Sequence, residues 1–201
     1  MSRRLKLCLA SLVVVAGIAW FGRGVWLSFL GQYLVGTDGE VKSGADVVVV
    51  PAADYLRADV GLDTLEEAMR LQRGSWVKRI LMSCPDWYDV SECELAEKAL
   101  RDRGYPEARI EWLRTERLPD ELEADLAIRH LKDSGSKSAI ILLPNYKARR
   151  LGYVYRRLGA QDGVEVAVWR QAGAIDPQRW WRSREGRKRF AEELLRRARL
   201  L

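Results

Sequence analysis

The chain has 201 residues and a mass of 23.0 kDa, which is room for one ordinary domain with a short attachment. Its apolar fraction of 48% and charged fraction of 31% exclude a disordered tail. The net charge of +6 is concentrated at the two ends, since nine basic and three acidic side chains follow from Gln178 onward. The body is mildly acidic, which argues against a nucleic-acid binder. A single His and three Cys without a CxxC pair exclude the usual zinc patterns.

The amino-terminal segment predicts a membrane anchor. Leu7–Phe21 has no charged residue, and three basic residues within the first six positions precede it. With Leu5 included and Arg23 reaching the interface, the run approaches the roughly 20 residues that a membrane-spanning helix needs. A cleaved signal peptide or a buried helix remains as the alternative. The basic residues before the run predict a single-pass protein of the cytoplasmic (inner) membrane whose soluble domain is exoplasmic, or periplasmic.

The sequence divides into three predicted parts. Residues 1–35 form the anchor and juxtamembrane segment, 36–44 (GTDGEVKSG) form a hinge, and 45–201 form the soluble domain. The domain ends in a basic amphipathic helix over 184–201. The Trp180-Trp181 pair and this helix either dock on an anionic bilayer, or both Trp cover the edge of the sheet while Phe190 and Leu194 pack on the core.

Strands and helices alternate along the soluble domain. The predicted strands are Val47–Val50, which is a run of four β-branched residues, Val77–Met82, the weaker Ile110–Leu113, Ala139–Leu143 and Val164–Trp169. The predicted helices, which have apolar residues at helical spacing, are 62–73, 91–104 (opened by a capping box at 91–94), 121–131, 147–158 and 184–201. This alternation predicts an α/β fold with a mostly parallel sheet and helices on both faces.

Three segments should meet where the strand order of such a sheet reverses, outside the carboxyl ends of the strands. They are Pro51–Tyr55, Ser83–Trp87 and Pro144–Arg150. The third lies at a helix amino terminus, where backbone amides and the helix dipole favour an anion. The predicted ligand-binding residues are Asp54, Ser83, Asn145, Tyr146, Lys147, Arg149 and Arg150. The alternative is that both arginines are solvated or pair with acids on a neighbouring helix.

Other chemistry at this edge receives less support from the sequence. Asp54, Asp86 and Asp89 could face a metal, but acidic loops are common, and we predict no metal and no cofactor. Ser83 lacks the GxSxG frame of a nucleophile. His130 has no partner at ligand spacing, which favours a structural role.

Several segments of the soluble domain resemble the YdcF/SanA/ElyC-like family. They are ADVVVVPAAD at 45–54, ILMSCP at 80–85, SECELAEKALRDRGYP at 91–106, LLPNYKARRLGYVYRR at 142–157 and RWWRSREGRKRFAEELLR at 179–196. The resemblance implies a Rossmann-like domain that is often tethered to the membrane. Some members are tied to envelope integrity or polysaccharide assembly.

The chain departs from the family pattern at chemically important positions. The glycine-rich turn after the first strand is replaced by 51–54 (PAAD), and the Ser-Gly-Gly after the second by 83–85 (SCP). The Thr of the third motif falls on Pro119, with the acid kept as Glu121. The His of the fourth motif falls on Lys147, so a permanent cation replaces a base that titrates near neutrality. Acid–base catalysis is therefore in more doubt than anion binding.

The resulting functional hypothesis has two branches. In the first, the protein is a membrane-anchored YdcF-like domain in cell-envelope or exopolysaccharide biogenesis. It binds or processes a phosphate- or carboxylate-bearing precursor or a nucleotide-like small molecule. Its candidate catalytic residues are Glu92, which matches the family's acid, Glu121 and Lys147. In the second, it is a non-catalytic assembly factor that keeps the fold without the reaction. Both branches leave the protein partners open.

Eight residues separate two cysteines of the domain in the chain. Cys84 ends the second strand, and Cys93 lies in the first turn of the following helix. The loop between them is long enough for disulfide geometry, and an exoplasmic compartment favours oxidation. Two unpaired thiols, one facing inward and one facing away, are the alternative.

Overall fold

The computed structural model describes residues 17, 20, 22–35, 43–51, 61–87, 90–105, 110–115, 118–171 and 175–198. The chain divides into two compact units. The sheet unit comprises Val35–Ala174, and the terminal unit comprises the residues up to Leu34 together with Ile175–Leu201.

The sheet unit has an α/β architecture built on five parallel strands. The strands are β1 (Ala45–Val50), β2 (Val77–Trp87), the short β3 (Val90–Ser91), β4 (Ile110–Thr115), β5 (Ser138–Pro144) and β6 (Glu165–Gln171). Its helices are α2 (Gly61–Arg73), α3 (Glu92–Asp102), α4 (Asp120–Asp133) and α5 (Asn145–Asp162); α1 (22–35) belongs to the terminal unit up to Leu34. The parallel order is β4-β2-β1-β5-β6, and β3 pairs antiparallel with the end of β2. The predicted α/β fold, Rossmann-like with a mostly parallel sheet, is confirmed.

The central strand explains why the sheet forms as it does. In β1, Val47–Val50 are completely buried, because β2 and β5 pair with its two edges and helices cover its two faces. Val47 and Val49 pack in one cluster with α4 and α5. Val48 and Val50 pack in another with α2 and α3. A continuous β-branched run is the pattern that a strand buried on both faces requires.

The amino edge of the sheet, where the strands begin, is fastened by Asp46. Lys78 Nζ donates to its Oδ1 at 2.6 Å, and the backbone N–H groups of Lys137 and Ser138 donate to its Oδ2 at 2.9 and 3.1 Å. The ammonium group of Lys78 and these amides lower the pKa of the Asp46 carboxyl well below its ordinary value. One carboxylate thus ties together the starts of β1, β2 and β5.

A second polar network lies at the same edge and includes the single histidine. Arg79 Nη1 donates to Glu111 Oε2 at 2.8 Å, and Arg79 Nη2 donates to Ser134 Oγ and Ser136 Oγ at 2.8 and 2.6 Å. His130 Nε2 lies 2.7 Å from Glu111 Oε1. These contacts give His130 a structural place that joins α4 to β4.

The terminal unit packs α1 against the end of the chain. A single 3-10 turn (Trp180–Arg182) precedes α6 (Arg184–Ala198). Trp180 Nε1 donates to Leu27 O at 2.8 Å, and the indole of Trp180 stacks on Phe190 with ring centroids 5.0 Å apart.

The predicted membrane anchor lies largely outside the described residues, with only Gly17 and Trp20 of Leu7–Phe21 inside them. Within the part of the chain that the structure describes, no helix is both long and apolar enough to cross a bilayer. Most of the predicted hinge, 36–42, also lies outside the described residues. The anchor and the domain boundaries stay predictions.

Candidate functional site

A small cleft lies at the carboxyl edge of the sheet, between the ends of β1 and β5. The connections of β1 and β5 run to opposite faces of the sheet, so this is the point where the strand order reverses. The cleft has a volume of about 10 Å³, which is room for about one water molecule. Its lining residues come from both strand ends, α4 and α5: Pro51, Asp120, Glu123, Leu143, Pro144, Lys147, Leu151 and Tyr155.

A cluster of charged groups joins the first turns of α4 and α5 beside this cleft. Arg150 Nη2 donates to Asp120 Oδ2 at 2.6 Å, and Arg150 Nη1 donates to Glu121 Oε1. Lys147 Nζ lies 3.5 Å from Asp120 Oδ1. Asp120 therefore bridges two cations. We call Asp120, Glu121, Lys147 and Arg150 the ionic cluster.

Burial makes this pairing necessary for Arg150. Its side chain is 1% exposed, whereas Asp120 and Glu121 are 16% and 39% exposed. A guanidinium removed from water is tolerated only when carboxylates face it in good geometry. Arg150 thus follows the alternative in which the arginine pairs with acids on the neighbouring helix. Lys147, with 14% of its side chain exposed, lies between the cluster and the cleft.

The remaining predicted binding residues of α5 occupy the same helix start. Asn145 and Tyr146 are buried in its first turn, because Pro144 ends β5 and the helix begins at once. Arg149 is half-buried one turn further along. The structure therefore gathers Asn145, Tyr146 and Lys147 at the switch point.

Ser83 is completely buried near the carboxyl end of β2. It pairs in register with Leu113, which packs in the cluster with α4 and α5, so its side chain faces those helices. Its hydroxyl has no hydrogen-bond partner among the described residues. A buried hydroxyl without a partner is costly and needs an explanation.

Cys84 and Cys93 form a disulfide that joins β2 to the first turn of α3. Their Cα atoms are 5.3 Å apart, and both side chains are completely buried. This separation lies inside the range that disulfides adopt. The structure therefore differs from the alternative, in which two unpaired thiols face apart.

The other predicted residues lie beyond what the structure describes. Asp54 and Asp89 are outside the described residues, as are the side chains of Asp86 and Glu92. The role assigned to Glu92 therefore stays a prediction. Within the described part of the chain, no group of three His, Cys, Asp or Glu side chains could hold a metal ion.

Sequence reasoning missed several polar residues at this edge. Asp120 and the buried Glu123 line the cleft, although only Glu121 was singled out in α4. The buried Thr64 of α2 donates to Gln171 Oε1 at the end of β6, at 2.5 Å. The acidic residues in the first turn of α4 gave a usable signal, because they follow a predicted strand. In the structure they lie beside the basic residues at the start of α5. The Thr64–Gln171 pair gave no such signal, because 107 positions separate its members.

Comparison with known proteins adds no assignment. No family model matches the chain, and no curated protein is significantly similar to it.

Proposed function

We propose that the protein is a membrane-anchored, YdcF-like domain that binds an anionic precursor in cell-envelope or exopolysaccharide biogenesis. The anionic group, a phosphate or a carboxylate, lies against the first turn of α5, in contact with Lys147. The domain is held on the outer side of the cytoplasmic membrane by its amino-terminal segment.

The observation that carries this proposal is the position of Lys147. It lines the cleft at the switch point of a parallel sheet, where ligands of such folds bind. It also lies in the first turn of α5, where the helix dipole favours a negative charge. The completely buried Ser83 hydroxyl faces the same layer of helices.

A specific observation favours the non-catalytic branch over an enzyme. Arg150 is held by Asp120 and Glu121, and Lys147 lies beside Asp120. The pairs of Arg150 serve packing between α4 and α5, and Lys147 shares the carboxylate of Asp120 while it lines the cleft. The cleft has room for about one water molecule, so a sugar or nucleotide would contact its rim. Binding without chemistry fits that geometry best.

The test is a thermal-shift titration of the full-length protein with inorganic phosphate, phosphorylated sugars, nucleotides and dicarboxylates. Lys147→Ala should weaken the shift, because a charge-assisted contact is typically worth about 1.5–3 kcal/mol. Arg157→Ala is the matched control, since Arg157 is exposed further along the same helix. It should leave the shift unchanged. A parent protein without any ligand shift, or an equal response of both variants, would refute the proposed site.

A further inference from the structure

An exposed aromatic stripe runs along α1 in the terminal unit. Val25, Trp26, Phe29 and Tyr33 are 72%, 73%, 69% and 44% exposed. At helical spacing these four residues share one face of about 100°. Large apolar side chains grouped on one exposed face usually mark an interaction surface.

The opposite face of α1 is held by the end of the chain, which fixes the direction of the stripe. Ser28 Oγ donates to Gln178 O at 2.9 Å, and Leu27 O accepts from Trp180. Gly31 permits the close approach, because a Cβ there would collide with the carbonyl of Pro177 and lie 2.7 Å from the ring of Trp180. The stripe therefore lies on the face of α1 opposite to the face that residues 177–180 cover.

The terminal unit is strongly cationic around this stripe. Its described residues include nine basic and four acidic side chains. Arg197 lies over the ring of Tyr33, 4.7 Å from its centroid, and Arg23 lies 3.8 Å from the ring centroid of Trp20. Arginines therefore flank both ends of α1. Two copies of so cationic a unit would repel each other, whereas an anionic surface would attract it.

We infer that the stripe of α1 lies in the headgroup region of an anionic lipid bilayer, with Arg23 and Arg197 against lipid phosphates. Trp and Tyr concentrate at this depth of a membrane, and basic side chains near it are attracted to anionic lipids. The inference rests on the proposed membrane attachment and goes beyond it. A tether alone leaves the domain free above the surface, whereas the stripe holds the terminal unit in the interface.

The test places a fluorescent label on the stripe of the full-length protein in lipid vesicles. Phe29→Cys is labelled with an environment-sensitive dye in a Cys8→Ser background, in which the other two cysteines are joined in the disulfide. The control is Tyr153→Cys, since Tyr153 is 60% exposed in α5 of the sheet unit. Vesicles contain phosphatidylcholine alone or mixed with phosphatidylglycerol, and lipids brominated near the headgroup end of the acyl chain act as quenchers.

We expect blue-shifted emission and severalfold stronger quenching at position 29 than at 153. The quenching should increase with phosphatidylglycerol, and Arg23→Gln combined with Arg197→Gln should remove that increase. Equal quenching in neutral and anionic vesicles would overturn the assignment of anionic lipid. A blue-shifted label that brominated lipid does not quench would identify a protein surface, such as a second copy, as the occupant. An unquenched label on protein that still floats with the vesicles would refute the stripe but leave the anchor. Protein that does not float would refute the membrane attachment itself.

Discussion

The two edges of the parallel sheet satisfy their polar groups differently. At the amino edge, Asp46 and Arg79 each bond to groups from at least two neighbouring elements. At the carboxyl edge, Arg150 is buried among carboxylates and the Ser83 hydroxyl has no partner among the described residues. Well-satisfied networks stabilise a fold, whereas imperfectly satisfied groups concentrate at sites that bind something. The amino edge therefore carries hydrogen-bond networks that stabilise the fold, whereas the carboxyl edge holds the ionic cluster and, among the described residues, a hydroxyl without a partner beside the proposed ligand site.

The largest effect is expected from Arg150→Met, which breaks the ionic cluster. It removes a cation that is 1% exposed, so Glu121 loses this guanidinium and Asp120 keeps only Lys147 of its two cations in the ionic cluster. Removing one partner of a buried ion pair typically costs about 3 kcal/mol. Urea denaturation of the full-length protein measures the loss. Arg157→Met, at an exposed position of the same helix, should change the free energy of unfolding by less than about 0.5 kcal/mol. Equal losses in the two variants would show that the cluster contributes no stability.

A smaller and pH-dependent effect is expected from Asp46→Asn at the amino edge. The variant loses charge-assisted bonds from Lys78 and two backbone amides, at a cost of about 2 kcal/mol at pH 7. Because folding lowers the pKa of this carboxyl, its stabilisation is complete above the unfolded-state pKa of about 4 and decreases as the pH falls below that value. The difference between parent and variant, followed by denaturation at several pH values, should therefore narrow on acidification below about pH 4. A constant difference would contradict this role of the carboxylate.

The sequence predicted the sheet unit well, because its signals are local. The strands β1 and β5 are buried apolar runs, and α2, α4 and α5 have apolar residues at helical spacing. The two-residue β3 was missed, since no pattern of composition is that short. The contact of Trp180 with Leu27 was missed because 153 positions separate the residues. The only sign of this contact in the sequence was the Trp180-Trp181 pair, which is compatible with several different environments.

The sequence predicted the location of the candidate site but not the contacts within it. The helix start at Asn145 follows directly from a strand that ends in proline, so its location was readable. Which carboxylates face Arg150 depends on how α4 packs on α5, and that packing is a tertiary property. The same limit applies to Ser83, whose lack of a partner follows from neighbours on other strands and helices.

The contrast between the two edges is tested most directly by a matched pair of buried serines. Ser136, 4% exposed at the amino edge, accepts a bond from Arg79 at 2.6 Å. Ser83, completely buried at the carboxyl edge, has no partner among the described residues. The measurement is the free energy of unfolding in urea at pH 7 for Ser136→Ala and Ser83→Ala. We predict a loss of about 1 kcal/mol for Ser136→Ala, and for Ser83→Ala no loss or a gain of up to about 1 kcal/mol. A loss in Ser83→Ala as large as that in Ser136→Ala would contradict the proposal that the carboxyl edge binds a ligand.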